Sequence, residues 1–236
     1  MYTYFGVKCL ILDLIKNGSN IWTFLGAVLS ATIVVFLALP VHEFAHGFVA
    51  SKLGDPTPKY QGRLTLNPLA HLDPIGSIGI FLFGIGWAKP VSINPRYFRN
   101  PKAGMAITAA AGPVSNLIMA FISLVLFHLS FVLYAKFSFS YSLYVFLYIL
   151  FSYTATINVY LAVFNLIPIP PFDGSRVLFT FLPTRYYFQI MRYERYIFIG
   201  LLIIIWTGVL SAPIGFLVDK VIYGLSYVAG IPFYGV

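Results

Sequence analysis

From Ile21 to Leu39 the chain runs for about 19 positions without an ionisable residue. As a helix that run is roughly 28 Å long, close to the thickness of a bilayer's hydrocarbon core. The helical pattern continues past it through Phe44, Phe48 and Leu53 and reaches Gly54, a residue suited to a helix C-terminus. Such a helix exceeds the bilayer thickness, so it must tilt, protrude or kink at Pro40. Composition agrees: of 236 residues, 59% are hydrophobic and 9% charged, against about 25% charged in a typical soluble domain. The chain is therefore expected to be an α-helical integral membrane protein, with residues 1–236 forming a single membrane-embedded domain. The single Cys9 excludes an internal disulfide framework and a cysteine-ligated zinc site.

Further apolar runs predict spanning helices over residues 103–134, 142–167 and about 196–218, giving about four spans and a hydrophobic tail to Val236. Residues 2–16 are too short and too interrupted by charge to span, and they fit an amphipathic interfacial helix. No cleavable signal peptide is evident there. Residues 55–102 change character. They are rich in proline and glycine, Arg63-Leu64-Thr65-Leu66 alternates as a strand would, and residues 76–93 are apolar but broken by glycines. Short strands or a re-entrant loop on the cytoplasmic side are expected.

The net charge of +8 does not point to nucleic acid, because the basic residues gather in loops beside apolar runs. Eleven of the fifteen lysines and arginines fall in the segments after the first and third spans, leaving Lys8, Lys16, Lys136 and Lys220 for the opposite side. That bias places both large loops in the cytosol. If the source is prokaryotic, the membrane is the cell (cytoplasmic) membrane.

Into the first helix the sequence sets Pro40-Val41-His42-Glu43-Phe44-Ala45-His46. His42 and His46 stand one turn apart on one helix face, so both imidazoles can reach one ion, and Glu43 follows directly. H-E-x-x-H in a helix is the metalloprotease pattern: two zinc ligands and a general base. Two polar histidines capping a membrane helix would be a blander reading, but it leaves Glu43 unexplained beside an apolar run. Taking Lys52 as the water boundary, His46 lies about 9 Å and His42 about 15 Å deeper.

A hydrolytic zinc ordinarily takes three protein ligands. Asp13, Asp55, Glu194 and Asp219 stand in contexts that look interfacial or solvated. Asp173 follows Asn165-Leu166-Ile167-Pro168-Ile169-Pro170-Pro171-Phe172, where prolines break the end of a span on the same membrane side as His46. It is the favoured third ligand, with His71 and Asp73 as alternatives and simple helix capping by Asp173 as the structural one. His128, alone on a spanning helix, reads as a packing residue.

Several motifs together, HEFAH at 42–46, NPLAHLDPIG at 67–76, GWAKPV at 86–91, GPVSN at 112–116 and NLIPIPPFDG at 165–174, make the chain resemble the site-two proteases. These are membrane-embedded zinc metalloproteases, and the resemblance covers about residues 21–185. It implies one Zn2+ per chain held by His42, His46 and Asp173, with Glu43 as catalytic base. It also implies that Asn116 helps position substrate or its developing oxyanion. Phe172 stands where the family commonly has leucine. The chain has the look of a core-only member without a PDZ or nucleotide-sensing module. The implied activity is hydrolysis of peptide bonds in or next to transmembrane segments of membrane-protein substrates, either in regulated intramembrane proteolysis or in clearing membrane remnants. The competing classes are a catalytically idle homologue that binds membrane proteins and a metal or proton transporter. Against the second, the ionisable groups gather at one membrane side. Substrate identity and oligomeric state are not encoded in any motif.

Overall fold

The computed structural model describes residues 21–83, 88–183, 186, 189–190 and 192–233. The interfacial helix expected over residues 2–16 and the start of the GWAKPV motif lie outside them. The first helix, α1 (Ile21–Lys52), is 32 residues long. Residues Val34–Ala38 form a π-turn just before Pro40. Pro40 has no N–H to donate and its ring crowds the preceding turn, so a widened turn at that point lets the helix continue. Gly54 ends it in a left-handed conformation, φ +106°.

The segment after α1, described over residues 53–83 and 88–100, packs along that helix. It contains three short helices, α2 (Thr57–Tyr60), α3 (Pro68–His71) and α4 (Pro74–Phe83). α4 has ten residues, about 15 Å and too short to cross a bilayer. Asp73 starts it by accepting the Gly76 N–H at 2.9 Å. The strand expected at residues 63–66 does not form. Among the described residues, β-pairing is confined to one antiparallel bridge between Leu72 and Ala88. The polar groups around 63–66 are engaged locally instead. Arg63 N–H donates to Pro58 O, the Thr65 carbonyl accepts from His71 Nε2, and Thr65 Oγ1 accepts from Asn67 N–H.

Two long helices then form a hairpin, α5 (Pro101–Phe137) and α6 (Tyr141–Asn165). The short α7 (Asp173–Phe179) follows a proline-rich turn. α8 (Glu194–Trp206) and α9 (Ser211–Gly230) are separated by a turn at Gly208, φ +76°. Among the described residues four helices, α1, α5, α6 and the run Ser211–Phe233, are long and apolar enough to cross a membrane. The last lies C-terminal to the expected 196–218, because the Gly208 turn splits that apolar run and α8 alone has only 13 residues. Lys220 consequently stands inside the fourth helix rather than in a loop.

The helices approach through small residues, as membrane helices must when lipid supplies no hydrophobic drive between them. At Gly26 an added Cβ would lie 3.0 Å from Ile149 of α6. One turn on, Ser30 Oγ lies 2.7 Å from its own helix's Gly26 carbonyl and 2.9 Å from the Leu150 carbonyl of α6. Ala120, Val159 and Val218 bring α5, α6 and α9 together, and Leu124, Ala155 and Ala229 form a second contact, one turn along α5 and α6 and about three turns along α9. The N-terminal half of α1 rests on α6 and its C-terminal half on α5, which carries the H-E-x-x-H turn to α5 and α7.

Candidate metal centre

His42 and His46 are both buried, on the face of α1 turned to α5. Their Nε2 atoms lie 3.1 Å apart, and each lies 3.3 Å from Asp173 Oδ2. Three ligand atoms on a tetrahedral ion with bonds of about 2.0–2.1 Å stand about 3.3 Å from one another. The triangle therefore has the edge length of one tetrahedral face, and the fourth vertex belongs to no protein atom of this group. Among the described residues these three form the cluster able to hold a metal ion.

Two of the three corners are held by devices of their own. His46 Nδ1–H donates to the Thr108 carbonyl of α5 at 2.7 Å, which leaves Nε2 as the lone-pair donor pointing inward. His42 Nδ1 is buried without a hydrogen-bond partner. Asp173 opens α7 and caps nothing with its side chain. Burial alone would push its carboxyl up, but the two imidazoles outweigh it and hold the acid well below the usual carboxylate range. Its Oδ2 therefore faces the two imidazoles, and no capping hydrogen bond from it to α7 is seen. The prolines after Asn165 end α6 and turn the chain back so that this carboxylate meets α1. At Gly174 an added Cβ would collide with the Leu166 backbone, so the return is tight enough to need a glycine.

The fourth wall is Gly112 of α5. A Cβ there would come within 2.6 Å of His42 Cε1 and Nε2, and closer still to His46 Nε2. That cradle, together with two imidazoles and one carboxylate, suits zinc, which takes mixed nitrogen and oxygen donors.

Glu43 is half-buried, and its Oε2 accepts the Val91 N–H at 3.0 Å. The segment bearing Val91 is tied down elsewhere too. Lys89 N–H donates to the His71 carbonyl at 2.7 Å, and Asn94 N–H donates to Asp55 Oδ2 at 2.7 Å. Asp55 is fully buried, with Oδ1 accepting Thr57 N–H at 2.9 Å, so it is not the solvated acid expected. Its sequence neighbours gave no sign of burial, because the partner amide comes from 39 residues away. His71 is buried on Thr65 and Asp73 caps α4, so neither alternative ligand reaches the centre. Asn116 is not among the three donors. It lies one turn beyond Gly112 on α5, fully buried, with both amide atoms unpartnered. His128 is held at 3.1 Å by Ser226 of α9, as a packing residue would be. Thr108, Gly112 and Asp55 went unrecognised as contributors; only the GPVSN motif pointed toward one of them.

The model of Peptidase family M50 matches residues 30–207. YwhC of Bacillus subtilis, a candidate zinc metalloprotease by its name, is 42% identical over 179 residues, covering 74% of this chain and 79% of its own. The Rip2 candidate zinc metalloprotease of Mycolicibacterium smegmatis is 29% identical over 147 residues, 60% of this chain and 53% of its own. Its Mycobacterium tuberculosis (strain H37Rv) counterpart is 30% identical over 152 residues, with the same coverage. The chain thus spans about half the length of these two mycobacterial relatives. No solved structure matches. A family match across most of the chain, laid over a His-His-Asp cluster on membrane-length helices, makes this an integral membrane protein of Peptidase family M50.

Proposed function

We propose that this chain is an intramembrane zinc endopeptidase that hydrolyses peptide bonds in or next to transmembrane segments of membrane-protein substrates. The single observation carrying the reading is the tetrahedral-edge spacing of His42, His46 and Asp173 on helices of membrane-spanning length. In that reading the three side chains hold one zinc ion. Bound there, zinc supplies Lewis acidity toward a substrate carbonyl and an attacking water.

The chain's own residues supply the rest. Glu43 accepts a proton from the attacking water and passes it to the leaving amine. The Val91 N–H holds one carboxylate oxygen of Glu43 and so fixes the plane of the base. Thr108 keeps His46 in the tautomer that presents Nε2. Asn116 carries an unpaired amide one turn from the centre, and we assign it to substrate positioning or to the developing oxyanion. The lysine and arginine bias, with Lys220 now inside α9, leaves Lys8, Lys16 and Lys136 opposite the large loops, which supports a site opening to the cytosol.

The test is cleavage of a model transmembrane peptide in proteoliposomes, read by mass spectrometry. Glu43→Gln is expected to retain zinc and to lose about 10²–10⁴-fold in rate. Equal product from wild type and variant would defeat the protease reading and favour an idle binding homologue.

A further inference from the structure

The fourth span carries two charges at the wrong depth for a lipid-facing helix. Val218 packs level with Ala120 and Val159, and Ala120 stands close to the middle of the 37-residue α5. Asp219 and Lys220 follow Val218, near the middle of the 20-residue α9, so about 15 Å of helix separates Lys220 from either end. A lysine side chain cannot snorkel that far. Both residues are exposed, and neither forms a salt bridge among the described residues. The Lys220 ammonium lies 5.5 Å above the Phe216 ring of its own helix. Asp219 lies near the Tyr160 phenol of α6, which carries no countercharge. Ionisable groups at this depth almost always face protein or water rather than lipid.

The rest of α9 shows which face points outward. Ile214, Val218, Val221, Leu225 and Ala229 pack inward on α5 and α6. Ala212, Phe216, Asp219, Lys220, Tyr223 and Tyr227 are all exposed and recur at i, i+4, i+7 or i+8, i+11 and i+15. That recurrence is one stripe of an outward face that also carries Leu217 and Val228, and the charge pair stands midway along its length.

We propose that this stripe is the interface of a homodimer, in which α9 pairs with α9 of a second copy. A two-fold axis along the membrane normal brings residues of equal height together. Asp219 then meets the partner's Lys220 while Lys220 meets the partner's Asp219. One isologous contact satisfies both charges twice. A partner helix of unrelated sequence would have to carry a matching acid and base at the same depth, whereas a second copy supplies both by symmetry. Tyr223 and Tyr227 add aromatic surface along the same seam.

The experiment is resonance energy transfer between donor- and acceptor-labelled protein in liposomes, followed over a series of lipid dilutions. The wild type is expected to dimerise reversibly. Asp219→Lys and Lys220→Asp should each raise the dissociation constant at least tenfold, and the double exchange D219K/K220D should restore it to within threefold. Zinc content of each variant reports that the fold is intact. Should a reversal fail to fold, Asp219→Asn and Lys220→Met replace it, each expected to weaken association by threefold or more. A monomeric wild type, single variants that associate as wild type does, or a double exchange that stays monomeric would each overturn the proposal.

Discussion

Replacing Gly112 by alanine puts the metal centre to a test that no ligand substitution offers, because it removes no donor. The added Cβ would stand 2.6 Å from His42 Nε2, where an ordinary heavy-atom contact needs about 3.5 Å. One or both rings must therefore retreat by about 0.9 Å. Metal–ligand bonds tolerate about 0.2 Å, so the retreat breaks at least one of them. Backing α5 away instead would stretch the Thr108–His46 hydrogen bond, now 2.7 Å. Losing an outer-shell partner alone lowers metal affinity about 10–100-fold. Losing a direct bond should reach the top of that range, about 100-fold or ~2.7 kcal/mol. Zinc affinity of the purified protein, measured by competition with a chromophoric chelator, reads the effect. Gly200→Ala, whose Cβ meets nothing within 4 Å, is the matched control. A folded Gly112→Ala protein that binds stoichiometric zinc within threefold of wild-type affinity would refute the assignment of this wall.

Three further outcomes follow from the same geometry. Asp173→Ala removes the anionic donor of the triangle and should lower zinc affinity at least 100-fold, measured in the same competition assay; unchanged binding would move the third ligand elsewhere. Gly174→Ala drives a Cβ into the Leu166 backbone and should destabilise the protein by about 1–3 kcal/mol, read as a lower thermal midpoint; an unchanged midpoint would mean the turn yields freely. Asp55→Ala strips the acceptor from the Asn94 and Thr57 amides. Each charged hydrogen bond is worth about 1.5–3 kcal/mol, so amide exchange at Asn94 should quicken at least tenfold while zinc content stays the same. Exchange at the wild-type rate would contradict the tether.

The legibility of this protein in its sequence follows from the range of each interaction. His42, Glu43 and His46 are local: two imidazoles one turn apart with Glu43 following directly, readable from spacing alone. The existence of membrane helices was equally legible, because length and hydropathy decide it. Asp173 required the proline-broken end of α6 and its placement on the same membrane side, so sequence made it a favoured candidate rather than a derived ligand. The strand at 63–66 failed because alternation cannot tell a strand from a turn whose polar groups bond to Pro58, His71 and Asn67. The last span slipped because a continuous apolar run hides one glycine turn at Gly208. Asp55 misled for the opposite reason: Gly54 and Pro56 beside it look like surface, and its partner amide at Asn94 is invisible to any local pattern.

What joins these parts is that the centre is made by backbone at least as much as by side chains. Among the described residues three donor groups face the ion site, and main-chain features aim or make room for them. Thr108 offers a carbonyl to His46, and Pro113 stands close by on α5, where it cannot donate to the Ala109 carbonyl and so loosens the helical ladder. Val91 offers an amide to Glu43, and Gly112 and Gly174 each leave out the one atom that would collide. The π-turn at Val34–Ala38 lies between the packing half of α1 and the H-E-x-x-H half. It lets the first half keep its contacts with α6 while the second turns His42 and His46 to α5. The motif therefore needs the helix irregularity before it as much as its own spacing. An ideal helix through Pro40 would rotate the two imidazoles away from Asp173 by a fraction of a turn, and the triangle would not close.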